Sequence, residues 1–332
     1  MFFRTCKGTH FLRMYYFCAP INPIHKFRIW TRTALHVDSG RAYLNLKLEY
    51  RIILNTCLVM EKTILLADSG STKTDWLLLA GNSEVARIAT QGINPFMLDE
   101  AEIASILTSE LLADAHFVCP DAVHFYGAGC RGAQCGVVER ALRSVMPTLH
   151  EVIVDSDLVG AARALCGNAD GIACILGTGS NSCLYVSGQV VANVSPLGYI
   201  LGDEGSGAVL GRRLVGDVLK HQLPDHLCSA FHARYAISAD EMIRRVYREP
   251  FANRFLASFA PFLSEHKADA AIQQLLHEEF DRFFKRNICS YGRPDLPVSF
   301  VGSVAYYFQD VLRSVAAANG YAVGRVLRSP LC

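Results

Sequence analysis

The feature that most constrains the fold is a pattern that occurs twice: an apolar run, a turn of small residues and a second apolar run. The first copy reads TILLADSGSTKTDWLLLA from Thr63, and the second reads GIACILGTGSNSCLYV from Gly171. Apolar runs that flank a turn rich in Gly, Ser and Asp predict a pair of strands. The repetition therefore predicts two related domains, each beginning with a hairpin that carries a small-residue loop at its tip.

Strands and helices alternate after each hairpin, which indicates an α/β fold with helices on the faces of each sheet. In the first half, a third strand is predicted near 85–90, and a helix, strand, helix, strand and helix follow at 99–114, 122–126, 133–145, 151–154 and 158–165. In the second half, helices are predicted at 206–221, 239–248, 268–286 and 305–318, and strands at 297–301 and 322–327. The predicted domains are residues 60–168 and residues 169–332, the second with a helical insertion.

Charge divides the chain near residue 60. Residues 1–59 contain nine Lys and Arg against two Asp and Glu, whereas the remainder contains 23 against 29. The first segment also has no sustained period of 2 or 3.6 residues and lacks the compact apolar core of a signal peptide. We therefore expect residues 1–59 to be a disordered or non-native extension and Met60 to be the natural start, with a targeting presequence as the alternative.

The composition argues against several classes of function. Hydrophobic residues make up 51% of the chain and the net charge is +1, so we expect a soluble globular protein without a nucleic-acid or membrane partner. The 12 Cys residues form no Cys-x-x-Cys pair, which favours free thiols in a reducing, cytoplasmic compartment. The alternative is that Cys130 and Cys135 form one half of a metal or iron–sulfur site.

The two small-residue loops are suited to hold a nucleotide from both sides of a cleft, and ATP fits that arrangement. Neither loop follows a familiar phosphate-binding template. The loop after Gly70 lacks the glycines of G-x-x-x-x-G-K-[ST], and the loop after Gly177 runs into a strand instead of the helix that G-x-G-x-x-G requires.

Three motifs, in this order, carry a resemblance to a known family. Asp68-Ser-Gly-Ser-Thr-Lys-Thr, Gly177-Thr-Gly-Ser-Asn and Leu201-Gly-Asp-Glu-Gly-Ser-Gly, with Gly92-Ile-Asn-Pro-Phe, resemble the N-acetylglucosamine kinase and related ATPase family of the actin-like, sugar-kinase superfamily. The resemblance covers about residues 60–330. It implies two ribonuclease-H-like (actin-like ATPase) domains, ATP and Mg²⁺ in the cleft between them, an amino sugar as substrate, and domain closure on the sugar.

The resemblance also implies a role for each residue of these motifs. Asp68 would hold Mg²⁺, which prefers carboxylate oxygen, and glycines would let the backbone approach the phosphates. The predicted nucleotide-binding residues are Gly70, Ser71, Thr72, Lys73, Gly177, Thr178, Gly179, Ser180 and Gly302. The predicted sugar-binding residues are Asn94, Thr178, Gly198, Asp203 and Glu204. For Asp68, Asn94, Asp203 and the Gly177 loop, the alternative is an ordinary turn or helix-capping role.

A kinase also needs a carboxylate that accepts the proton of the attacking hydroxyl. Val154-Asp155-Ser156-Asp157 ends a predicted strand and leads into a predicted helix. The resemblance assigns the base to Asp157, and Asp155 is the alternative. Either acid could instead be the N-cap of that helix.

Two departures from the family pattern bear on function. Pro196-Leu197-Gly198-Tyr199 stands where some sugar kinases of the family have a Gly-Trp-Gly type of sequence, which affects the wall of the acyl pocket and the preference for an N-acetyl group. The chain ends at Leu331-Cys332, where the family usually continues into a segment that packs on the first domain, so closure and activity depend on that end.

The leading interpretation is an ATP- and Mg²⁺-dependent kinase that phosphorylates the 6-hydroxyl of N-acetylglucosamine or a related amino sugar. The sequence leaves open whether the protein forms a homodimer. An activator ATPase of the 2-hydroxyacyl-CoA dehydratase type, which would need cysteines at a dimer interface, is one alternative. A sugar or nucleotide sensor without turnover is the other.

Overall fold

The computed structural model describes residues 62–70 and 72–331. The predictions made for residues 1–59, Met60, Ser71 and Cys332 lie outside the described residues. The described chain contains two five-stranded mixed sheets, each accompanied by helices. The predicted α/β fold with two domains of the ribonuclease-H-like kind is therefore confirmed. None of the described helices is both long and apolar enough to cross a bilayer.

The first sheet has the strand order β3-β2-β1-β4-β5. Its first three strands form an antiparallel meander, and β4 and β5 run parallel to β1. The strands are β1 (Thr63–Ser69), β2 (Lys73–Ala80), β3 (Ser83–Gln91), β4 (Ala122–Gly127) and β5 (Glu151–Ser156). The helices are α1 (Glu100–Ile106), which a π-helical turn extends over Leu107–Leu111, α2 (Ala133–Val145) and α3 (Asp157–Cys166).

The second sheet repeats this topology in the order β8-β7-β6-β9-β10. Here too the first three strands are antiparallel, and the last two run parallel to β6. The strands are β6 (Gly171–Leu176), β7 (Ser180–Val186), β8 (Gln189–Val194), β9 (Val298–Val301) and β10 (Val323–Leu327). The sequence prediction included all of these except β8.

Most helices of the second half lie between β8 and β9, as the predicted helical insertion requires. They are α4 (Gly198–Leu201), α5 (Gly207–Leu219), α6 (Asp225–Tyr235), α7 (Ala239–Tyr247), α8 (Ala252–Ala257), α9 (Ala260–Glu265) and α10 (Ala270–Phe283). A π-helical turn extends α10 over Phe284–Ile288. The single helix predicted at 305–318 is instead two helices, α11 (Ser303–Tyr307) and α12 (Gln309–Ala318).

Helix α3 packs between the two sheets. Leu158 and Leu165 belong to a buried cluster with Ala173 of the second sheet. Gly160 lies against β4 of the first sheet, because a Cβ at Gly160 would come within 2.7 Å of the Tyr126 side chain. The helix therefore contacts both halves of the described chain. The predicted boundary between residues 168 and 169 follows this helix and stays a prediction.

The end of the described chain returns to the first sheet. The Arg87 guanidinium on β3 donates a hydrogen bond of 2.8 Å to the Leu331 carbonyl oxygen, and Leu331 is buried. The final described residues therefore contact the first sheet.

Candidate active site at the strand ends

The carboxyl ends of the parallel strands β1, β4 and β5 bring three acids to one edge of the first sheet. Asp68 is level with Tyr126, and Tyr126 is level with Asp155. Side chains at the same level on neighbouring strands project from the same face, so Asp68 and Asp155 flank Tyr126. Asp157 lies two residues beyond Asp155, where the chain leaves the sheet. In open α/β sheets this edge is where ligands bind.

The Asp68 carboxyl lies in an acidic setting. Burial, together with the charges of Asp157 and Asp75, raises its pKa to about 7. No group of three or more His, Cys, Asp or Glu in the described chain could hold a metal by itself. The site fits an ion such as Mg²⁺, which takes one carboxylate oxygen, keeps several waters and neutralises the clustered acids.

Asp157 is the first residue of α3, and the N-cap is Ser156. The Ser156 hydroxyl accepts a hydrogen bond from the Val159 N–H at 3.3 Å. The expectation that either acid could be the N-cap is therefore wrong for both, because the serine between them has the extended backbone that the cap needs. The Asp157 carboxylate accepts from the Leu158 N–H at 2.8 Å. Burial raises the pKa of Asp157, while that N–H and the Arg131 charge act in the opposite direction.

Asp155 has different surroundings. Its carboxylate accepts from the Ser156 N–H at 2.8 Å, and its charge raises the pKa values of the Cys130 and Cys135 thiols. The groups that act on the pKa of Asp68 include Asp157 but not Asp155. Of the two acids, Asp157 is therefore the one whose charge acts on the predicted metal ligand.

The first loop is a tight turn at the tip of the β1–β2 hairpin. The Gly70 N–H donates to the Lys73 carbonyl oxygen at 2.9 Å, and Thr72 is exposed. Lys73 belongs to β2, and its ammonium pairs with the Asp75 carboxylate at 2.6 Å. Gly70 and Thr72 thus lie where phosphate oxygens could approach, whereas the Lys73 ammonium already has an acidic partner.

Two buried hydroxyls below this turn were not predicted. The Ser69 and Thr74 hydroxyls are 2.7 Å apart, and Ser69 exchanges hydrogen bonds with the backbone of Ile93. These bonds hold the Asn94 loop against the end of β1. The sequence did carry a signal for these two residues. Inward and outward positions alternate along the hairpin, and this alternation places both polar side chains on the buried side.

Asn94 forms a local turn of its own. Its Oδ1 accepts a hydrogen bond from the Phe96 N–H at 3.0 Å, which is the ordinary turn role named as its alternative. The loop after β4 packs on the same side chain, since a Cβ at Gly129 would lie 2.2 Å from the Asn94 Oδ1. Its Nδ2 has no hydrogen-bond partner among the described residues and remains available to a sugar.

The second loop is held against the start of α5. The Gly207 N–H donates to the Gly177 carbonyl oxygen at 2.8 Å, and the Ala208 N–H donates to the Thr178 carbonyl oxygen at 3.1 Å. Gly302 approaches from β9, where a Cβ would lie 2.3 Å from the Leu176 carbonyl oxygen. Gly177, Thr178 and Gly302, which the sequence predicts to bind nucleotide, are therefore brought together.

The Asp203 carboxyl lies beside this loop. A Cβ at Gly179 would be 3.1 Å from its Oδ2. Burial and the neighbouring Glu204 raise the pKa of Asp203 to about 6, against the effect of a hydrogen bond from the Ser180 N–H. Asp203 also has φ of +52°, a left-handed conformation that is uncommon outside Gly and that often occurs at functional sites.

The Glu204 side chain contacts the π-helical turn that follows α10. Its buried carboxylate pairs with Arg286 at 2.5 Å and lies 3.4 Å from the Asn287 amide. Arg286 and Asn287 were not predicted as site residues. They anchor the loop, and a cavity of about 200 Å³ beside them is also lined by Leu197. Gly198, with φ of +73°, is the first residue of α4.

Burial also affects the Cys130 and Cys135 thiols, which the sequence offers as one half of an alternative metal site. Burial raises the pKa of Cys130 to about 12 and also raises the pKa of Cys135. A thiol binds metal as the thiolate, which electropositive surroundings favour. The surroundings of these two thiols favour the protonated form instead.

Two solved structures are similar to this chain. One is a Porphyromonas gingivalis protein that shares 50% identity at a TM-score of 0.79, over 81% of this chain and 95% of that one. The other is a Chromobacterium violaceum protein that shares 20% identity at a TM-score of 0.64, over 79% and 94%, a likeness of fold alone. Both carry the description "putative N-acetylglucosamine kinase". No family model and no curated protein matches the chain.

Proposed function

This chain belongs to the N-acetylglucosamine kinase-like family, and from that premise we propose that it is an ATP-dependent sugar kinase. The acceptor is the 6-hydroxyl of N-acetylglucosamine or a related amino sugar. The observation that carries the proposal is the Asp157 carboxyl, which begins α3 at the edge of the sheet and acts electrostatically on Asp68. Cytoplasm, where ATP is abundant and thiols stay reduced, is the location that goes with this activity.

In the reaction, the hydroxyl proton of the sugar passes to the Asp157 carboxylate. The sugar oxygen forms a bond to the γ-phosphorus, the bond from that phosphorus to the bridging oxygen breaks, and ADP leaves with the electron pair. A base works best when its pKa lies near the working pH, and burial moves the pKa of Asp157 in that direction.

The acids and glycines at the strand ends support a nucleotide site. Asp68 would hold Mg²⁺, which supplies positive charge to the phosphates when bound. The turn after Gly70 and, in the second loop, Thr178 and Gly179 would offer N–H groups to the phosphates, because glycine permits close backbone approach. Gly302, packed beside the second loop, would lie on the adenosine side.

Asp203 and Asn94 are the proposed sugar ligands. The Asp203 carboxylate can accept hydrogen bonds from two sugar hydroxyls, and the Asn94 Nδ2 can donate one. Glu204 supports the loop through Arg286 rather than binding sugar itself. Preference for the N-acetyl group would depend on Leu197 and Gly198, which stand in the part of the loop that departs from the family pattern.

The test is release of ADP from Mg·ATP by the purified chain, measured by a coupled assay with no sugar and with N-acetylglucosamine, glucosamine, glucose or N-acetylmuramate. We expect release that depends on an amino sugar, with 6-phosphorylated product identified by mass spectrometry and NMR. Release that is indifferent to every sugar would favour an activator ATPase. Tight sugar or nucleotide binding without any product would favour a sensor.

A further inference from the structure

The loop between β4 and α2, residues 128–132, begins at the carboxyl end of β4, beside the end of β1. The Ala128 N–H donates to the Ser69 carbonyl oxygen at 2.7 Å, which ties the loop to the end of β1. Gly129 and Gly132 have φ of +82° and +54°, so the path of the loop depends on residues without a Cβ. The loop is therefore tied to β1 at its first residue, and Arg131 lies near its other end, two residues before α2.

This loop contacts Asn94, one of the proposed sugar ligands, and its charge acts on Asp157, the proposed base. Gly129 packs against Asn94. Cys130, which is buried, and Arg131 both interact electrostatically with Asp157. The loop thus brings a guanidinium close to the atoms between which the phosphoryl group would move.

The Arg131 side chain is exposed, and it makes no hydrogen bond or ion pair with any residue in the described part of the chain. Its charge acts on the buried carboxyl of Asp157 at the start of α3. The lysine of the phosphate turn, Lys73, is already paired with Asp75. A cation near the proposed base that has formed no pair with it is available for an anion that arrives with the substrate.

Phosphate is the anion that suits such a group. A guanidinium presents N–H donors in a planar fork that matches two oxygens of a phosphoryl group, and it stays charged at all working pH values. During transfer, negative charge spreads over the three non-bridging oxygens of the phosphoryl group. A preorganised cation at that position stabilises the transition state more than the ground state.

We propose that the Arg131 guanidinium binds the phosphoryl group as it passes to the sugar hydroxyl and then holds the phosphate of the product. Arg131 neither forms nor breaks a covalent bond, since the proton goes to Asp157 and the electron pair goes to ADP. The inference rests on the proposed function and adds to it a catalytic residue that none of the predicted motifs contains.

The test compares the full chain with Arg131→Gln, Arg131→Lys and a control, Arg140→Gln. Arg140 lies on the adjoining helix α2 and pairs with Glu100 on the surface. Calorimetric titration without nucleotide measures the affinity for N-acetylglucosamine and for N-acetylglucosamine 6-phosphate. We expect Arg131→Gln to weaken binding of the sugar phosphate at least tenfold while leaving the Kd for the sugar within about twofold.

We also expect kcat to fall by about 10²- to 10³-fold in Arg131→Gln, by less in Arg131→Lys, and not at all in Arg140→Gln. Unchanged affinity for the sugar phosphate in Arg131→Gln would overturn the proposal, even if kcat fell, because Arg131 would then act only through Asp157. Failure of the proposed function is distinct: the unmodified chain would bind no sugar and release no sugar-dependent ADP, and the inference would fall with it.

Discussion

Between Asp155 and Asp157 lie one residue, Ser156, and the end of strand β5. Because one acid belongs to the strand and the other to helix α3, the two carboxyls have different surroundings. Asp155 still belongs to β5 and is level with Tyr126. Asp157 opens α3, and it is the acid that raises the pKa of Asp68. Two similar side chains so close in sequence offer a matched pair for mutation.

We predict that Asp157→Asn lowers kcat by about 10²- to 10⁴-fold, the range of a lost general base, with the KM for sugar changed less than about threefold. Asp155→Asn should stay within about tenfold of the unmodified chain. Steady-state kinetics with saturating Mg·ATP measures both. A larger loss in Asp155→Asn than in Asp157→Asn would transfer the role of base to Asp155.

The raised pKa of Asp203 sets a sign for the dependence of stability on pH. A buried acid with a folded-state pKa of about 6 binds a proton more tightly when folded than when unfolded. Its contribution to stability is therefore full below about pH 4 and is lost as the pH rises through about 6. Above that pH the folded protein holds a carboxylate that is poorly solvated and close to Glu204.

We predict that Asp203→Asn raises the free energy of unfolding at pH 8 by about 1 kcal/mol, after a discount for solvent screening of this partly exposed group. Near pH 4 the variant and the unmodified chain should unfold at the same temperature. Asn also tolerates the left-handed backbone at this position, so the comparison isolates the charge. Thermal unfolding at the two pH values measures the effect.

The same substitution should weaken sugar binding about tenfold or more, since hydrogen bonds to a charged acceptor are stronger than those to an amide. Titration of the sugar at pH 8 measures this loss. Sugar affinity equal to that of the unmodified chain would remove Asp203 from the proposed sugar site without affecting the stability prediction.

At the scale of elements, α3 approaches β4 so closely that a methyl group does not fit between them. A Cβ at Gly160 would lie 2.7 Å from the Tyr126 side chain, whereas nothing lies within 4 Å of a Cβ at Gly216 in α5. Both glycines are inside helices. They differ in what faces them, which makes them suitable for a paired test.

We predict that Gly160→Ala lowers the free energy of unfolding by about 1–3 kcal/mol, because overpacking outweighs the better helix propensity of alanine. Gly216→Ala should raise it by about 0.5–1 kcal/mol, the propensity gain alone. Chemical denaturation of both variants measures the difference. Equal effects of the two substitutions would mean that α3 can move away from β4 without cost.

The sequence was sufficient to predict elements whose ends are set by residues next to them in the chain. Helix α2 spans 133–145 as predicted, since Gly132 precedes it and the chain reaches Pro147 soon after it ends. Strand β8 was not predicted, although the turn at Ser187-Gly188 corresponds to the turn at Gly81-Asn82 before β3. If the second half had been assumed to repeat the first half strand for strand, a third strand would have been predicted in the second sheet.

The sequence was less informative about the candidate site, because partners in space leave no local pattern. The motifs gave Asp68, Asp157 and Asp203 as candidates. They gave no indication that Lys73 pairs with Asp75 or that Arg131 lies near Asp157. These relations come from the register of strands and from loops that meet only after folding.

At the scale of the whole molecule, α3 joins the two sheets by its packing. Leu158 and Leu165 lie in a cluster with residues of the second sheet, while Gly160 rests on the first. Loss of either sheet would expose one side of this helix. We therefore expect the two sheets to unfold together.

We predict a single thermal transition in which Trp76 fluorescence and far-ultraviolet circular dichroism have the same midpoint. Trp76 is buried in the first sheet, and Trp30→Phe leaves it as the one tryptophan of the chain. Saturating Mg·ADP should move both signals by the same amount. A fluorescence midpoint several degrees below that of circular dichroism would show that the first sheet unfolds on its own.

The repeated sheet topology also bears on how the chain evolved. Two copies of one strand order in a single chain are what duplication of an ancestral segment would leave. The end of β1 has an acid, Asp68, whereas the end of β6 is apolar, with Ile175 and Leu176. The strand order is the same in both copies while the residues at the strand ends differ. On the proposed function, an ancestral protein with one segment would have had to assemble from two chains to surround a nucleotide.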